Sequence, residues 1–484
     1  MVSVTNLAAK VARTALMGSV ALTIGSHAYA TESGQPAADQ AKFEQLQRQM
    51  EQLMQQLEDL KAQQSAQQER IEQQDQQIEQ QKEQVASLPS TIAPANVVTG
   101  GDIPGSFKLP GTDTSIKIGG YVKADFIYDV NSDLGDSFTF SSIPADGSTK
   151  DNQNGNFRAH AKQTRINIST VTPTPFGQAK TFIEGDFFGT GGNETFSNST
   201  SFRLRHAYGQ LGPVLVGQTW SNFMYLDSYP DTVDFFGPVG IPFVRQGQLR
   251  YTYDGIENLS LSASLENSEL SGLSLDAATG ERDGTLGGTR RNDDVNFGID
   301  TLPDFTARAT YADDWGSANL SGVARLLEVD DGAGVQDEEF GWGVLAAGTL
   351  NLGEFLPALG GDSFVANFTY GDGIGRYLIN GANQDATFRN GQLDTIEAWG
   401  VAAGYTHNWT DTLRSNVVYG RYVVEDTFGE EETEKLESIH VNLMWKPTER
   451  IQFGLEWIYG KRGFEDSDLD NDAQRVQFAG QFFF

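Results

Sequence analysis

At 484 residues the chain is long enough for one barrel of about 350 residues with an appendage, or for several soluble domains. Its formal charge of −31 makes nucleic acid an unsuitable partner, and the absence of cysteine excludes disulfides and thiolate metal sites. A mean hydropathy of −0.38 excludes a helical membrane protein but not a β-barrel, in which only alternate strand residues face lipid.

Residues 1–30 read as a secretory leader. Lys10 and Arg13 form its basic region, Ala15 to Ile24 an apolar run too short to cross a bilayer, and Ala28-Tyr29-Ala30 a small-x-small cleavage site. Removing Lys10 and Arg13 takes the charge from −31 to −33 and places the mature start at Thr31. Residues 39–88 then carry seven heptads. Phe43, Met50, Leu57, Gln64, Ile71, Ile78 and Val85 occupy one core position. Leu46, Leu53, Leu60, Gln67, Gln74, Gln81 and Leu88 occupy the other. This predicts an α-helical coiled coil roughly 70 Å long. Such a seam implies self-association; a trimer is preferred, although the core composition fits two strands or three. Residues 89–113, rich in Pro and Gly, form a linker.

From Thr114 onward the pattern becomes alternating strands with turn signals between them. In Ser115–Asp129, Ile116, Ile118, Val122, Ala124, Phe126 and Tyr128 share one face, while Lys117, Tyr121, Lys123 and Asp125 share the other. Similar patterns start near Lys162, Gln178, Ser201, Val214, Gln248, Leu259, Asp304, Ser317, Phe340, Asp362, Thr395, Thr412, Glu437, Arg450 and Ala473. The fold class is therefore an all-β transmembrane barrel of 16 antiparallel strands over residues 114–484, preceded by the coiled coil. Short turns such as Gly212-Pro213 alternate with long segments, including 131–157, 268–293 and 376–394, so the short turns should be periplasmic and the long loops extracellular. Asn292–Leu302 belongs to a loop and the end of the next strand, because a seventeenth strand would break the parity. Trp409 and Trp445, beside short turns, suit an interfacial aromatic belt. The last strand, Gln474–Phe484, puts Val476, Phe478, Phe482 and Phe484 on one parity and must seal the cylinder against the strand that begins at Ser115. A soluble two-sheet protein is the alternative; no break into compact units and no helical layer supports it.

Two features point inward. Ser221–Gly247 is long but rich in aromatics and proline, as suits a loop folded into the lumen. It carries Asp227, Asp231, Asp234, Phe235 and Phe236. An outer loop packed against a neighbouring subunit is the alternative. Arg165, Arg203, Arg205, Arg250, Arg308 and Arg325 alternate with apolar residues, and Arg245 ends the loop's return. Guanidinium groups on a wet wall match carboxylate or phosphate, and pore walls select ions in this way. Glu184 and Asp186 share the lumen parity. These acids could hold the arginines in place, form an opposing wall, or simply satisfy a wet interior.

No catalytic constellation, cofactor site or metal site is expected. The acidic run Asp466–Asp472 starts like a calcium loop but has Asn471 where glycine belongs and Gln477 where glutamate belongs. The five histidines are scattered.

The segments Gly105–Lys123, Phe202–Tyr208 (FRLRHAY), Val216–Phe223 (VGQTWSNF) and Gly237–Arg245 (GPVGIPFVR), following leader, coil and linker, resemble the DcaP-like trimeric porins of Gram-negative outer membranes. The resemblance covers almost the whole chain. It implies a homotrimer of sixteen-stranded barrels in outer-membrane lipid, a coil projecting into the periplasm, and passive uptake of small anionic solutes such as dicarboxylates. It also places the start and return of an inward loop on VGQTWSNF and GPVGIPFVR, and makes the terminal Phe484 an assembly signal. A sugar or non-selective porin, and an adhesive envelope protein anchored by its barrel, are the competing functions.

Overall fold

A period-two pattern folds into a sheet with one apolar and one polar face, and in this chain the apolar face turns outward. The computed structural model describes residues 99–484 apart from 152, 190–194, 196, 276–285, 288–297, 331–335, 379–383, 390–391 and 426–431, together with residue 55. The expected leader at 1–30 and nearly all of the coil at 39–88 lie outside the described residues. The chain divides into two units, Met1–Ile92 and Ala93–Phe484, and the barrel occupies the second.

Its first strand, β1, is Ser115–Asn131. Next come β2, in two pieces Asn154–His160 and Arg165–Thr174, then β3 Gly177–Asp186, β4 Arg203–Leu211 and β5 Val214–Trp220. β6 is Arg245–Ile256, β7 Leu259–Glu266, β8 Asp304–Asp313 and β9 Gly316–Asp330. β10 is Gln336–Asn351, β11 Ser363–Asp372, β12 Glu397–Thr410 and β13 Leu413–Val424. β14 Thr433–Thr448, β15 Ile451–Phe464 and β16 Asn471–Phe483 complete the set. Each strand pairs antiparallel with its neighbours in sequence, and β16 returns to β1 with Val122 opposite Phe482 and Phe126 opposite Phe478, so sixteen strands close a barrel. Closure leaves no free sheet edge.

On β1 the outward residues Ile118, Val122, Phe126 and Tyr128 are exposed, whereas Lys123, Asp125 and Asp129 are buried inside. The same division holds at the seam, where Phe478 and Phe482 face out and Arg475 and Gln477 face in. Trp409 and Trp445 are exposed beside the short turns, as expected.

One boundary differs from expectation. β2 begins at Asn154, inside the stretch assigned to a loop, because its upper piece pairs with Asp125–Asn131. Residues 161–164 interrupt the ladder, and the Thr164 hydroxyl accepts the β1 hydrogen bond from Lys123 N at 3.2 Å. The β10–β11 connection contains a helical turn, Leu352–Phe355, and a 3-10 turn, Pro357–Leu359. Within Asn292–Leu302, Gly298 and Ile299 pair with Val329 and Glu328 of β9, adding no spanning strand among the described residues.

The hydrophobic core lies inside the cylinder and is built largely from loops. Leu134, Phe138, Phe140 and Ile143 of the β1–β2 loop join Phe223, Tyr225 and Val239 of the β5–β6 loop. Ile374, Tyr377 and Leu378 of the β11–β12 loop enter the same cluster, packing against wall residues such as Val323, Leu345, Tyr422 and Ile458. At the long-loop end, Ser271–Leu275, Leu286–Gly287, Ala386–Arg389 and Gln392–Thr395 form a small separate sheet that ties the β7–β8 and β11–β12 loops together, with Ala386 and Leu393 packing on Leu327 and Val329 of β9.

Candidate functional site: the lumen and its inward loop

The β5–β6 loop leaves one wall and crosses to the other. Near its start, Tyr225 Oη donates to Ser317 Oγ of β9 at 2.6 Å, and Arg308 Nη1 donates to Met224 O at 3.0 Å. At the far wall, Glu456 of β15 accepts from Val233 N and Asp234 N, each at 2.9 Å. Lys123 of β1 donates to Val233 O at 2.8 Å, and Val239 N donates to Ser438 Oγ of β14 at 3.2 Å. On the return, Phe243 N donates to Tyr377 O at 2.8 Å. Backbone approaches backbone where the loop meets β12 and β13. A Cβ on Gly240, whose φ is +83°, would lie 2.2 Å from Arg421 O. One on Gly400 would lie 2.4 Å from Gly240 O, so neither position accommodates a side chain without displacement.

The wall from which the loop starts carries six of the seven expected arginines, in two tiers. In the tier nearer the long loops, Arg203 presents its fork to Asp186, with Nε 3.0 Å from Oδ1 and Nη2 2.9 Å from Oδ2. Arg205 donates from Nε to Glu184 Oε1 and from Nη1 to Asp186 Oδ2, both at 2.9 Å. Arg165 Nη1 lies 3.6 Å from Glu184 Oε1. A register shift in the β3–β4 pairing, with Glu184 opposite His206 and Gly185 opposite Leu204, turns both Arg205 and His206 inward. Phe235 of the loop seats itself on this cluster. Its ring stacks on Phe188 at 4.4 Å and lies beneath Arg203 and Arg205 at 5.4 and 5.8 Å. Phe236 meets Phe235 edge-on at 5.3 Å. Arg245 stands over Trp220 at 4.8 Å and Phe243 at 5.9 Å.

Toward the short-turn end, Arg250 donates from Nε to Gln248 Oε1 at 2.8 Å and from Nη2 to Trp220 O at 2.5 Å. Arg250 and Arg308 line a cavity of about 380 Å³ together with Asp227. Among the described residues, Arg245, Arg250 and Arg308 have no carboxylate within ion-pair distance, whereas Arg165, Arg203 and Arg205 do.

The model of the DcaP outer membrane protein family matches residues 50–484. This chain belongs to the DcaP outer membrane protein family. It is 27% identical over 303 residues to porin Omp2b of Brucella neotomae, covering 59% of this chain and 71% of that protein. It is 29% identical over 229 residues to porin Omp2b of Brucella suis, of which it spans about half (53%). The crystal structure of the outer membrane channel DcaP of Acinetobacter baumannii superposes with a TM-score of 0.65 at 24% identity, covering 80% of this chain and 100% of that one, a likeness of fold.

Within this DcaP-family barrel, three residues expected to line the pore are enclosed: Asp186 and Arg205 in the cluster above, and Arg325. Arg325 has the inward parity, but its side chain is fully buried. It contacts Asp304 at 3.2 Å and Asp385 at 2.9 Å, and it donates to Gly373 O and Glu269 O, each at 2.6 Å. The β11–β12 loop covers it, so Arg325 fastens that loop and does not line the pore. Two loop acids have a similar holding role. Asp231 pairs with Arg414 at 2.6 Å, and buried Asp234 accepts from Phe138 N at 3.0 Å and lies 3.6 Å from Arg475. Residues absent from the expected site, namely Glu456, Arg414, Arg475 and His440, form the loop's far anchorage. The glycines on the inward parity of β12 to β15, including Gly400, Gly404, Gly420 and Gly454, are the sequence signal that would have located it.

Proposed function

We propose that this member of an outer-membrane porin family conducts small hydrophilic solutes by passive diffusion, with a bias toward small anions such as dicarboxylates. The observation carrying this reading is the group Arg245, Arg250 and Arg308, inward-facing cations without a carboxylate partner among the described residues. In a low-dielectric wall such charges attract anions and repel cations. Arg165, Arg203 and Arg205 add less to the field, since Glu184 and Asp186 offset them. The reading includes a leader removed at Ala30, a trimer, and a periplasmic coil. Under it the short turns face the periplasm and the long loops face outward.

The ring series Phe188, Phe235, Phe243 and Trp220, with centroid spacings of 4.4, 6.4 and 4.7 Å, favours a second reading in which sugars slide along aromatics. Guanidinium groups stand over these rings, which supports anion selection instead. Reversal potentials across planar bilayers separate the two. Chloride preference that falls when Arg245, Arg250 and Arg308 are each changed to Gln supports anion selection. Cation preference in the unmodified protein, or selectivity unchanged in all three variants, refutes it.

A further inference from the structure

The cavity of about 380 Å³ holds charges of both signs that form no ion pair with one another among the described residues. It sits between the Ser221–Asp227 limb of the loop and the wall of β4 to β8. Arg250 uses Nε and Nη2 on Gln248 and Trp220, which leaves Nη1 without a protein acceptor among the described residues. Among the described residues Arg308 uses only Nη1, on Met224 O, which leaves Nε and Nη2. Asp227 lines the same space, interacts with the Tyr225 hydroxyl, lies within electrostatic reach of Arg308, and forms no ion pair among the described residues. Tyr208, Tyr225 and Trp220 supply flat walls. A volume of this size falls within the range of small-molecule sites, about 300–1,000 Å³.

We propose that this cavity is a subsite for acidic amino acids, solutes that carry two carboxylates and one ammonium group. The inference rests on the anion-conducting reading and narrows it. The lining itself carries two guanidinium groups and one carboxylate, a net +1, while Glu266 acts on both arginines from outside it. An acidic amino acid at neutral pH carries the complementary −1 and offers a partner to each wall charge. Its carboxylates take the open donors of Arg250 and Arg308, and its ammonium donates to Asp227. A plain dicarboxylate satisfies the arginines but leaves Asp227 facing like charge. A basic amino acid places its second cation against a guanidinium. Specificity of this kind comes as much from the repulsive element as from the attractive one.

The test compares L-glutamate with glutarate, which has the same carbon chain without the ammonium, by ion-current block of the full-length protein in planar bilayers at pH 7. A charge-assisted hydrogen bond predicts about tenfold tighter block by glutamate. Asp227→Asn should abolish or invert that preference, because it removes the carboxylate that favours ammonium and disfavours glutarate. Asp227→Glu should retain the preference, and Arg308→Gln should weaken both solutes. Equal or tighter block by glutarate in the unmodified protein overturns the proposal, as does a glutamate preference that survives Asp227→Asn. Chloride reversal potentials from the same bilayers keep the two readings apart. Chloride preference without glutamate discrimination overturns the subsite alone, and a channel that prefers cations overturns both.

Discussion

Replacing Arg325 with Met tests whether the β11–β12 loop is held by charge. The guanidinium is enclosed and serves two carboxylates and two carbonyls at 2.6 to 3.2 Å. Methionine keeps much of the length but none of the donors. Removing one partner of a buried ion pair typically costs about 3–5 kcal/mol, because the other charge stays behind. Asp304 retains the Tyr377 hydroxyl at 2.7 Å and Arg376 at 3.7 Å, so its loss is partly cushioned. Among the described residues Asp385 keeps only backbone donors, Arg376 N and Ser271 N, at 2.8 Å each. The lower end of the range, about 3 kcal/mol, is therefore expected, and it corresponds to roughly a hundredfold greater population of the loop-open state. The lipid-facing ladder is untouched, so the barrel should persist. Hydrogen exchange is the direct assay. The amides of Gly373, Asp385 and Ile396, which donate to Ile396 O, Ser271 O and Asp385 O, should lose about a hundredfold in protection. Amides in β14 and β15 should not change. Unaltered exchange at Gly373, Asp385 and Ile396 would refute the assignment of Arg325 as a fastener.

Two further outcomes follow from the anchorage of the loops. Glu456→Ala leaves the amides of Val233 and Asp234 without acceptors, at about 1–3 kcal/mol each. Single-channel records should then show larger, noisier conductance as the loop leaves the far wall, and quiet records of normal amplitude would contradict the anchor. In the β1–β2 loop, burial raises the Asp136 carboxyl, but the hydrogen bond and charge of Lys162, with His160 and Arg158, outweigh it and hold it below its usual value. A depressed carboxylate adds stability above its unfolded pKa, and that share disappears as pH falls through the folded value. Protease cleavage in loop 132–153 should therefore rise below the unfolded value of 3.8, and Asp136→Asn should show that faster cleavage already at neutral pH.

The barrel was legible because period-two patterning and turn residues are local. Strand starts such as Val214, Leu259 and Asp304 agree with the paired strands. The first part of β2 was missed because Asn154–His160 contains Gly155 and lacks a strong alternation, and its pairing with β1 supplies what propensity does not. The lumen was legible only by parity. Arg308 and Arg325 look alike in sequence, each between small or apolar neighbours. What separates them is the β11–β12 loop, folded over one and not the other, and such long-range burial leaves no local mark. Likewise Phe138, Phe140 and Ile143 sit in a stretch rich in Ser, Asp and Gly, and only the folded interior gives them an apolar site. The bulge that turns Arg205 and His206 the same way also depends on the partner strand.

The interior core has a consequence for assembly. Phe138 and Phe140 belong to the first long loop, but they pack against the wall near Gly460 and His440, and Arg475 Nε reaches Asp129 Oδ1 across 346 residues at 2.6 Å. Contacts so distant along the chain form late, since the entropy of bringing their ends together must be met first. Until the last strands arrive, these rings lack the part of their packing that the wall supplies. An incompletely wound barrel therefore exposes more of these aromatics than a finished one.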